Sequence, residues 1–387
     1  MRSAESEPAA PGPPLWAAAL VFALSGAGAL VIESIWMRWF RLVFGATAPA
    51  VTATLVAFFA GQALGAAMAA RRAAGLRRPL RTYAYIEATA ALAAFAVPAL
   101  LSLAGAGTDR VYDSLRTTPA ALNAVRMAIA LVATLPAAIC FGASLPVLGQ
   151  AMVGSPRALG ARGGLLYGAN ILGAALGAAL AGFGLPEQLG VLGTYMVGVT
   201  LLIAAALGAL QLARNRIPAD AARARPAAPA DTAAPAEPIA ARGLLWLAAL
   251  SGFGAFASQV LLTQAFALVH DQSVYAFASV LVVVLLSLAL GALITAAVER
   301  AGWLDPRSLA GFALAAAGLG LACFPALLSQ ATDGLHVLRS ARPWPDYLLR
   351  SLALVARTVH ARPCDRRVAE DESRDTSGRS DVDDRVQ

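Results

Sequence analysis

Three charged residues lie inside apolar stretches of the sequence: Glu33, Glu87 and Arg126. At the centre of a membrane helix, a charged side chain costs about 2.5–3.5 kcal/mol on insertion scales. Such residues therefore form pairs, make hydrogen bonds, or take part in ion and proton pathways. Together with the amide of Asn170, these residues are the intramembrane polar candidates of the sequence.

Glu33 is expected to pair with Arg126 or with Arg38, because all three lie towards the same side of the membrane in the topology derived below. The alternative is that each charged group extends to the nearer interface, or forms a fixed structural pair without a role in function. Glu87 lies towards the other side. It is expected to share a hydrogen bond with Asn170 or Tyr167, and a structural role is the alternative there too.

The remaining reactive side chains predict neither a catalytic site, nor a metal site, nor a bound cofactor. Cys140, Cys323 and Cys364 are far apart and form no CxxC pair, so neither a disulfide framework nor a metal site is indicated. His270 stands beside Asp271 in a short loop. A single histidine there does not make a metal site.

The amino-acid composition indicates that this chain lies in a lipid bilayer and not in water. Of its 387 residues, 58% are hydrophobic and 14% charged, whereas soluble domains carry about a quarter charged residues. The net charge of +7 comes from arginines distributed between apolar runs. That distribution indicates membrane topology and excludes a nucleic-acid partner, leaving the lipid bilayer as the expected one. Arginine without lysine is typical of a GC-rich, bacterial genome.

The apolar runs predict helices that cross a bilayer, since about 20 apolar residues span its hydrocarbon core. Between a tail at 1–14 and a Pro/Ala/Arg linker at 213–242, the region 15–212 holds six spans. An incomplete second half follows at 243–360, and 361–387 is a charged tail. The predicted spans are 15–37, 47–70, 82–104, 122–150, 163–183, 189–212, 244–269, 273–297 and 308–330, with a partial one near Tyr347.

Arginine positions predict the orientation, because basic loops stay in the cytoplasm. The densest cluster follows the second span and comprises Arg71, Arg72, Arg77, Arg78 and Arg81. Placing this loop inside puts the N-terminus and the linker inside as well. The sequence therefore predicts a multi-pass protein of the inner (plasma) membrane with a cytoplasmic N-terminus.

The chain also matches itself at a distance of 226 residues, which predicts an internal repeat. An even number of spans separates the two copies, so both halves have the same orientation, as in major facilitator transporters. Glu33 is replaced by Gln259 in the second copy. The matching residues include Ser25, Gly26, Gly28 and Ala29 with Ser251, Gly252, Gly254 and Ala255, and Gly65 with Gly291.

The fourth span of the second half stops early. Its apolar character ends near Val359, and the following residues are highly charged. A stretch of about 13 residues does not cross a bilayer unaided. A frameshift or truncation near Val359 is the favoured explanation, and a natural soluble tail is the alternative.

Two pairs of glycines have the GxxxG spacing, Gly61 with Gly65 and Gly173 with Gly177. Lipid gives helices no hydrophobic reason to associate, so small residues that permit close backbone approach hold them together. Both pairs are therefore predicted to be helix-packing positions.

Several of these segments, taken together, resemble the fused major-facilitator-like and spermidine-synthase-like family. The resemblance covers most of 15–212 and, more loosely, 244–359. It rests on the segments 33–38, 42–45, 61–65, 77–81, 85–87 and 166–177.

Members of that family join a helical membrane region to a Rossmann-type domain resembling polyamine aminopropyltransferases. This chain has no alternating strand and helix pattern and no Gly-rich turn after a strand. Aminopropyl transfer by this chain alone is therefore not expected.

Three functional hypotheses follow. The chain is a membrane protein with transporter-like architecture and unknown cargo, polyamine-related only by resemblance; or it is a truncated or partner-dependent fragment; or it serves an aminopropyltransferase-like enzyme whose catalytic domain is on another chain.

The predicted Glu33–Arg126 pair can be tested by charge exchange. The double variant Glu33→Arg/Arg126→Glu should reach a higher membrane expression level than Glu33→Ala or Arg126→Ala, because the exchange keeps both charges paired. Expression measured by quantitative immunoblot checks this. Equal loss in all three variants would remove the pairing hypothesis.

Overall fold

The computed structural model describes residues 14–44, 48–73, 75–115, 118–152, 162–214, 238–269, 274–303 and 306–331, and all regular secondary structure in these ranges is helical. The chain divides into two compact units, Met1–Gly318 and Leu319–Gln387. The described residues of the second unit are helical. The candidate functional site described below lies in the first unit. The partial span near Tyr347, the charged tail, and most of the linker lie outside the described residues.

The predicted spans fall on the helices of the structure. Helix α5 continues through a π-helical stretch, Leu180–Gly184, into α6. The helices are α1 (Leu15–Phe44), α2 (Ala48–Ala73), α3 (Pro79–Leu115), α4 (Pro119–Met152), α5 (Gly164–Ala179), α6 (Leu185–Arg214), α7 (Pro238–Val269), α8 (Val274–Ala301) and α9 (Pro306–Ala331).

The surfaces of these helices are suited to lipid. Seven stretches of the described chain are long and apolar enough to cross a membrane. Many large apolar side chains on their outer faces are largely exposed, among them Leu92, Leu103, Leu176, Trp246 and Phe253. A helix on a water-facing surface would carry polar residues there. The chain is therefore a polytopic helical membrane protein whose outer surface contacts lipid.

One of these stretches, Gly164–Arg214, has 51 residues. At 1.5 Å per residue a continuous helix of this length would measure about 76 Å, far more than a single crossing needs. The backbone departs from helical geometry at Gly190, with φ 69° and ψ 176°. Such a positive φ is sterically easy only for glycine. Gly190 is the second residue of the predicted span 189–212, so the break lies just beyond the predicted boundary with the span 163–183.

Helix α1 is the centre of the first half, because it packs against both α5 and α6. Its residues enter two buried clusters. Towards the C-terminal end of α1, Trp36 and Phe40 pack with Phe58 of α2. Towards its N-terminal end, Phe22 packs edge-on against Tyr83 of α3, with ring centroids 6.2 Å apart. The helices α2 and α4 pack against each other, and α3 lies against α4 and α6.

Glycines allow α5 to lie directly on the backbone of α1. A Cβ atom at Gly173 would overlap the backbone of Ala23, and one at Gly177 would overlap that of Ala27. In the reverse direction, a Cβ at Gly26 of α1 would overlap the backbone of Asn170. Because backbones at this separation leave no room for side chains, the contact requires glycine on both helices.

The helices α2 and α4 approach each other in the same way. Gly61 lies against Ala138, and Gly65 lies against the backbone of Ile139. Gly142 of α4 is packed against the backbone of Gln62. Both sequence-predicted glycine pairs thus lie at helix contacts, and each pair has a reciprocal glycine on the facing helix that GxxxG spacing did not indicate.

Helix α5 offers a matched test of this packing. Gly173→Ala should destabilise the protein by about 1–3 kcal/mol, because the added methyl group forces α5 away from α1. Gly168→Ala, on the same helix with no atom within 4 Å of the new Cβ, should be neutral, or stabilising by up to about 1 kcal/mol through helix propensity. Thermal unfolding in detergent measures both. Equal effects of the two substitutions would contradict the close-contact explanation.

Candidate functional site

Glu87 lies on α3 and is completely buried. Two hydroxyl groups donate hydrogen bonds to the same carboxyl oxygen, Oε1: Ser25 Oγ of α1 at 2.8 Å and Ser144 Oγ of α4 at 2.9 Å. Ser144 Oγ also lies 3.1 Å from the carbonyl oxygen of Cys140. Since one hydroxyl group carries one proton, Ser144 donates to one of these two acceptors at a time. Three helices therefore meet at this carboxyl group.

The other carboxyl oxygen, Oε2, is buried without a hydrogen-bond partner among the described residues. Tyr83 lies one turn earlier on α3, and its buried hydroxyl also lacks a partner of hydrogen-bond geometry, although it interacts electrostatically with Glu87. Burying a polar atom without a hydrogen-bond partner costs free energy of folding, so such atoms are candidates for a functional site.

The predicted partners of Glu87 were wrong. Asn170 Nδ2 donates instead to the carbonyl oxygen of Phe22 on α1, at 2.9 Å. The reason is the close approach of α5 to α1, which brings the Asn170 amide to the α1 backbone. Glu87 lies on α3, and the hydroxyl groups that donate to it come from Ser25 on α1 and Ser144 on α4.

A cavity of about 620 Å³ lies beside this group. Helices α1, α2, α4, α5, α7 and α8 contribute its walls, and no charged side chain is among the lining residues. Ser25 and Ser144, which hydrogen-bond to Glu87, are part of the wall. The other polar lining residues are Gln62, Tyr167, Asn170 and Gln259, and the phenylalanines are Phe22, Phe58, Phe59, Phe141 and Phe256.

The cavity combines apolar aromatic walls with a few polar groups. Amide and hydroxyl groups orient a ligand by hydrogen bonds, and aromatic rings supply apolar contact or cation–π attraction. Phe59 and Phe256 meet edge to face with centroids 4.6 Å apart, so α2 and α7 are in direct contact at this wall. This arrangement suits binding of a small molecule.

A second polar cluster lies further along α1. Trp36 Nε1 donates to Tyr195 Oη of α6 at 3.1 Å, and Tyr195 Oη donates to the carbonyl oxygen of Ala94 on α3 at 2.7 Å. All of these groups are buried. The Trp39 ring stacks at an angle on Tyr195, with centroids 4.7 Å apart. This cluster links three helices. None of its residues is among those that line the cavity.

Glu33 is 5% exposed and is not among the residues that line the cavity. It lies eight residues beyond Ser25 on α1, about 12 Å along the helix axis. The side chain of Arg126 lies outside the described residues, and the pairing of Glu33 stays a prediction. His270 and Asp271 also lie outside them.

The structure describes no group of three His, Cys, Asp or Glu residues that could hold a metal ion in the part of the chain it covers. Cys140 is half-buried and Cys323 is exposed, and both are free thiols.

The serines, Gln62 and Tyr195 were not predicted from the sequence as site residues. Ser25 was visible as part of the repeated segment, and Gln259 as the replacement of Glu33, but neither pattern indicated a cavity. Ser144 carries no signal beyond being a polar residue in an apolar run.

Comparison with known proteins adds no relative to these observations. No protein family, no curated protein and no solved structure matches this chain. The resemblance drawn from the sequence motifs therefore stays an expectation, and the functional argument depends on the geometry of the cavity.

The role of the Tyr195 hydroxyl group can be isolated by removing it. Tyr195→Phe should lower the free energy of unfolding by about 1–2 kcal/mol, because two buried groups lose their partner. Tyr85→Phe is the matched control, since Tyr85 lies on α3 with 64% of its surface exposed, and it should have little effect. Chemical unfolding in mixed micelles measures both. A Tyr195→Phe protein as stable as the control would rule out a structural contribution of this cluster.

Proposed function

We propose that this protein binds a small molecule within the membrane and has the architecture of a transporter, with the cavity between α1, α2, α4, α5, α7 and α8 as its ligand site. The observation that carries the proposal is the cavity itself. Its volume of about 620 Å³ falls in the range of about 300–1,000 Å³ that small-molecule sites occupy. Its wall of aromatic rings with a few hydroxyl and amide groups is also typical of such sites.

The position of the cavity supports a transporter-like arrangement. Helices α7 and α8 belong to the second copy of the repeat, and they line the same cavity as helices of the first copy. In transporters built from repeats, substrate sites lie at the interface between the repeats. Helix α8 also packs against α5, which joins the two copies directly next to the cavity.

The helix boundaries support the repeat. A shift of 226 residues carries Ala48, the first residue of α2, onto Val274, the first residue of α8. The same shift carries Pro79, the first residue of α3, to within one residue of Pro306, the first of α9. We propose on this basis a parallel, major-facilitator-like repeat.

The orientation and the membrane belong to the same proposal. The arginine clusters favour a cytoplasmic N-terminus, and the arginine-rich, lysine-free composition favours a bacterial inner membrane.

A second candidate function is a membrane part that depends on a partner, such as the membrane region of an aminopropyltransferase-like enzyme with its catalytic domain on another chain. The exposure of helix surfaces in the second copy favours dependence on a partner. In the best 18-residue window of α7 no residue is buried, against 56% in α1. Gly252, Gly254 and Gly291 have no atom within 4 Å of an added Cβ, unlike their first-copy counterparts. The sequence resemblance alone suggests the enzyme class.

Access of water to the cavity tests the proposed ligand site. Ala63 lines the cavity, while its neighbour Leu64 is 47% exposed and faces away from it. In a background with Cys140, Cys323 and Cys364 replaced by Ala, Ala63→Cys should react with a membrane-impermeant, water-soluble thiol reagent. Leu64→Cys should react far more slowly, because lipid lacks both the reagent and the thiolate form.

The reaction is followed by mass shift of the protein in membranes. Labelling of both positions at the same rate would mean that the region is generally exposed to water. Labelling of neither would mean that the cavity is closed to solvent. Either result contradicts a ligand site in this cavity.

A further inference from the structure

We infer that the cavity binds a small organic cation with one positive charge and aromatic or other apolar groups, and that Glu87 supplies the compensating negative charge through Ser25 and Ser144. This inference rests on the proposed function, because it names the ligand class of the same cavity.

A carboxyl group lies next to the cavity wall. Glu87 is separated from the cavity only by the hydroxyl groups of Ser25 and Ser144, which belong to the wall and lie 2.8 and 2.9 Å from its Oε1. No charged side chain is among the lining residues, so a bound ligand would meet this carboxylate through the two serines. A buried carboxylate without a cation is costly, and a cationic ligand within a low-dielectric cavity would offset that cost.

The wall of the cavity is rich in aromatic side chains. Five phenylalanines and Tyr167 surround the cavity. The negative faces of such rings attract cations, and desolvated examples contribute about 2 kcal/mol or more. The side-chain oxygens of Gln62, Asn170 and Gln259 add acceptors. An anionic ligand would meet these same groups without any cationic partner, so the wall favours the opposite charge.

The number of negative charges at the cavity is small. Glu87 is the carboxyl group whose printed hydrogen bonds go to wall residues, Ser25 and Ser144, among the residues that the structure describes, whereas Glu33 on α1 is not part of the lining. An extended polyamine carries several charges separated by methylene groups and would leave most of them without a counter-charge. The geometry therefore points to a monovalent cation with apolar bulk.

Protonation of Glu87 would remove the compensating charge, so cation binding should weaken as the pH falls. The other titratable groups near Glu87 are Tyr83 on the same helix, Cys140 on α4 and Tyr167 at the cavity. None of these becomes a cation. The contact from α1, Ser25, does not titrate. Loss of the pH dependence in a Glu87 variant therefore assigns it to this carboxyl group.

The probe is tetraphenylphosphonium, a permanent aromatic monocation, binding to the full chain in lipid nanodiscs with empty nanodiscs as the blank. Its affinity should fall on acidification by up to tenfold per pH unit. Glu87→Gln should weaken its binding at least tenfold and abolish the pH dependence. Triphenylphosphine oxide, an uncharged aromatic probe, should bind both proteins equally. Spermidine should bind at least tenfold more weakly than tetraphenylphosphonium.

Glu33→Gln is the matched control, because it neutralises a second buried carboxyl group, on α1, that is not part of the cavity lining. It should leave cation binding unchanged. Glu87→Asp should recover part of the binding, which separates loss of charge from misfolding, and the thermal unfolding of each variant is recorded alongside. A Glu87→Gln protein that binds the cation as wild type does would overturn the inference. Preferential binding of spermidine would overturn it too.

A cavity-filling substitution separates this inference from the proposed function. Ala63→Trp should abolish binding of both probes, and Leu64→Trp should not. If Ala63→Trp blocks the uncharged probe while Glu87→Gln does not affect the cation, the cavity is a ligand site and the cation inference is wrong. If Ala63→Trp affects neither probe, the ligand site itself is wrong.

Discussion

The close approach of α5 to α1 is the contact from which the rest of the first half is built. In lipid, association of helices depends on packing and polar contacts, because the surrounding chains are as apolar as the helices. Gly173 and Gly177 bring the backbone of α5 onto Ala23 and Ala27. That separation allows the Asn170 amide to donate to the Phe22 carbonyl oxygen, which adds a polar contact to the van der Waals contact. The other faces of α1 pack against α6 and line the cavity.

The same arrangement explains how a carboxyl group is accommodated in the membrane. Glu87 lies where α1 and α4 each present a serine, so that one oxygen receives two hydrogen bonds. The two serines also belong to the cavity wall, so the carboxyl group is both shielded from lipid and coupled to the cavity. Tyr195 joins α1, α3 and α6 further along the bundle. These two polar contacts each join three helices, and they fix the position of α3 relative to α1.

The contacts at the cavity wall differ from the closest helix contacts of the bundle. Between α2 and α4, glycines bring the helices together without leaving space, as at Gly65 and Ile139. At the cavity wall, the rings of Phe59 and Phe256 meet edge to face and bring α2 into contact with α7. Glycine contacts, as at Gly26 and Gly142, lie beside these aromatic contacts in the same wall.

The sequence by itself determined the solvent, the helices and their approximate boundaries, because apolar runs of about 20 residues have few alternatives in a bilayer. It also identified Glu87 and Asn170 as residues that need an explanation, since polar groups in such runs are costly. Only the tertiary structure decided what surrounds them. Ser25 and Ser144 come from helices distant in sequence, and nothing in the local pattern distinguishes them from serines that bond to their own helix, as Ser34 does to the Leu30 carbonyl oxygen. Packing between residues far apart in the chain decides which helices approach closely and which side chains share a cavity. The periodicity of apolar residues within one helix does not specify these contacts.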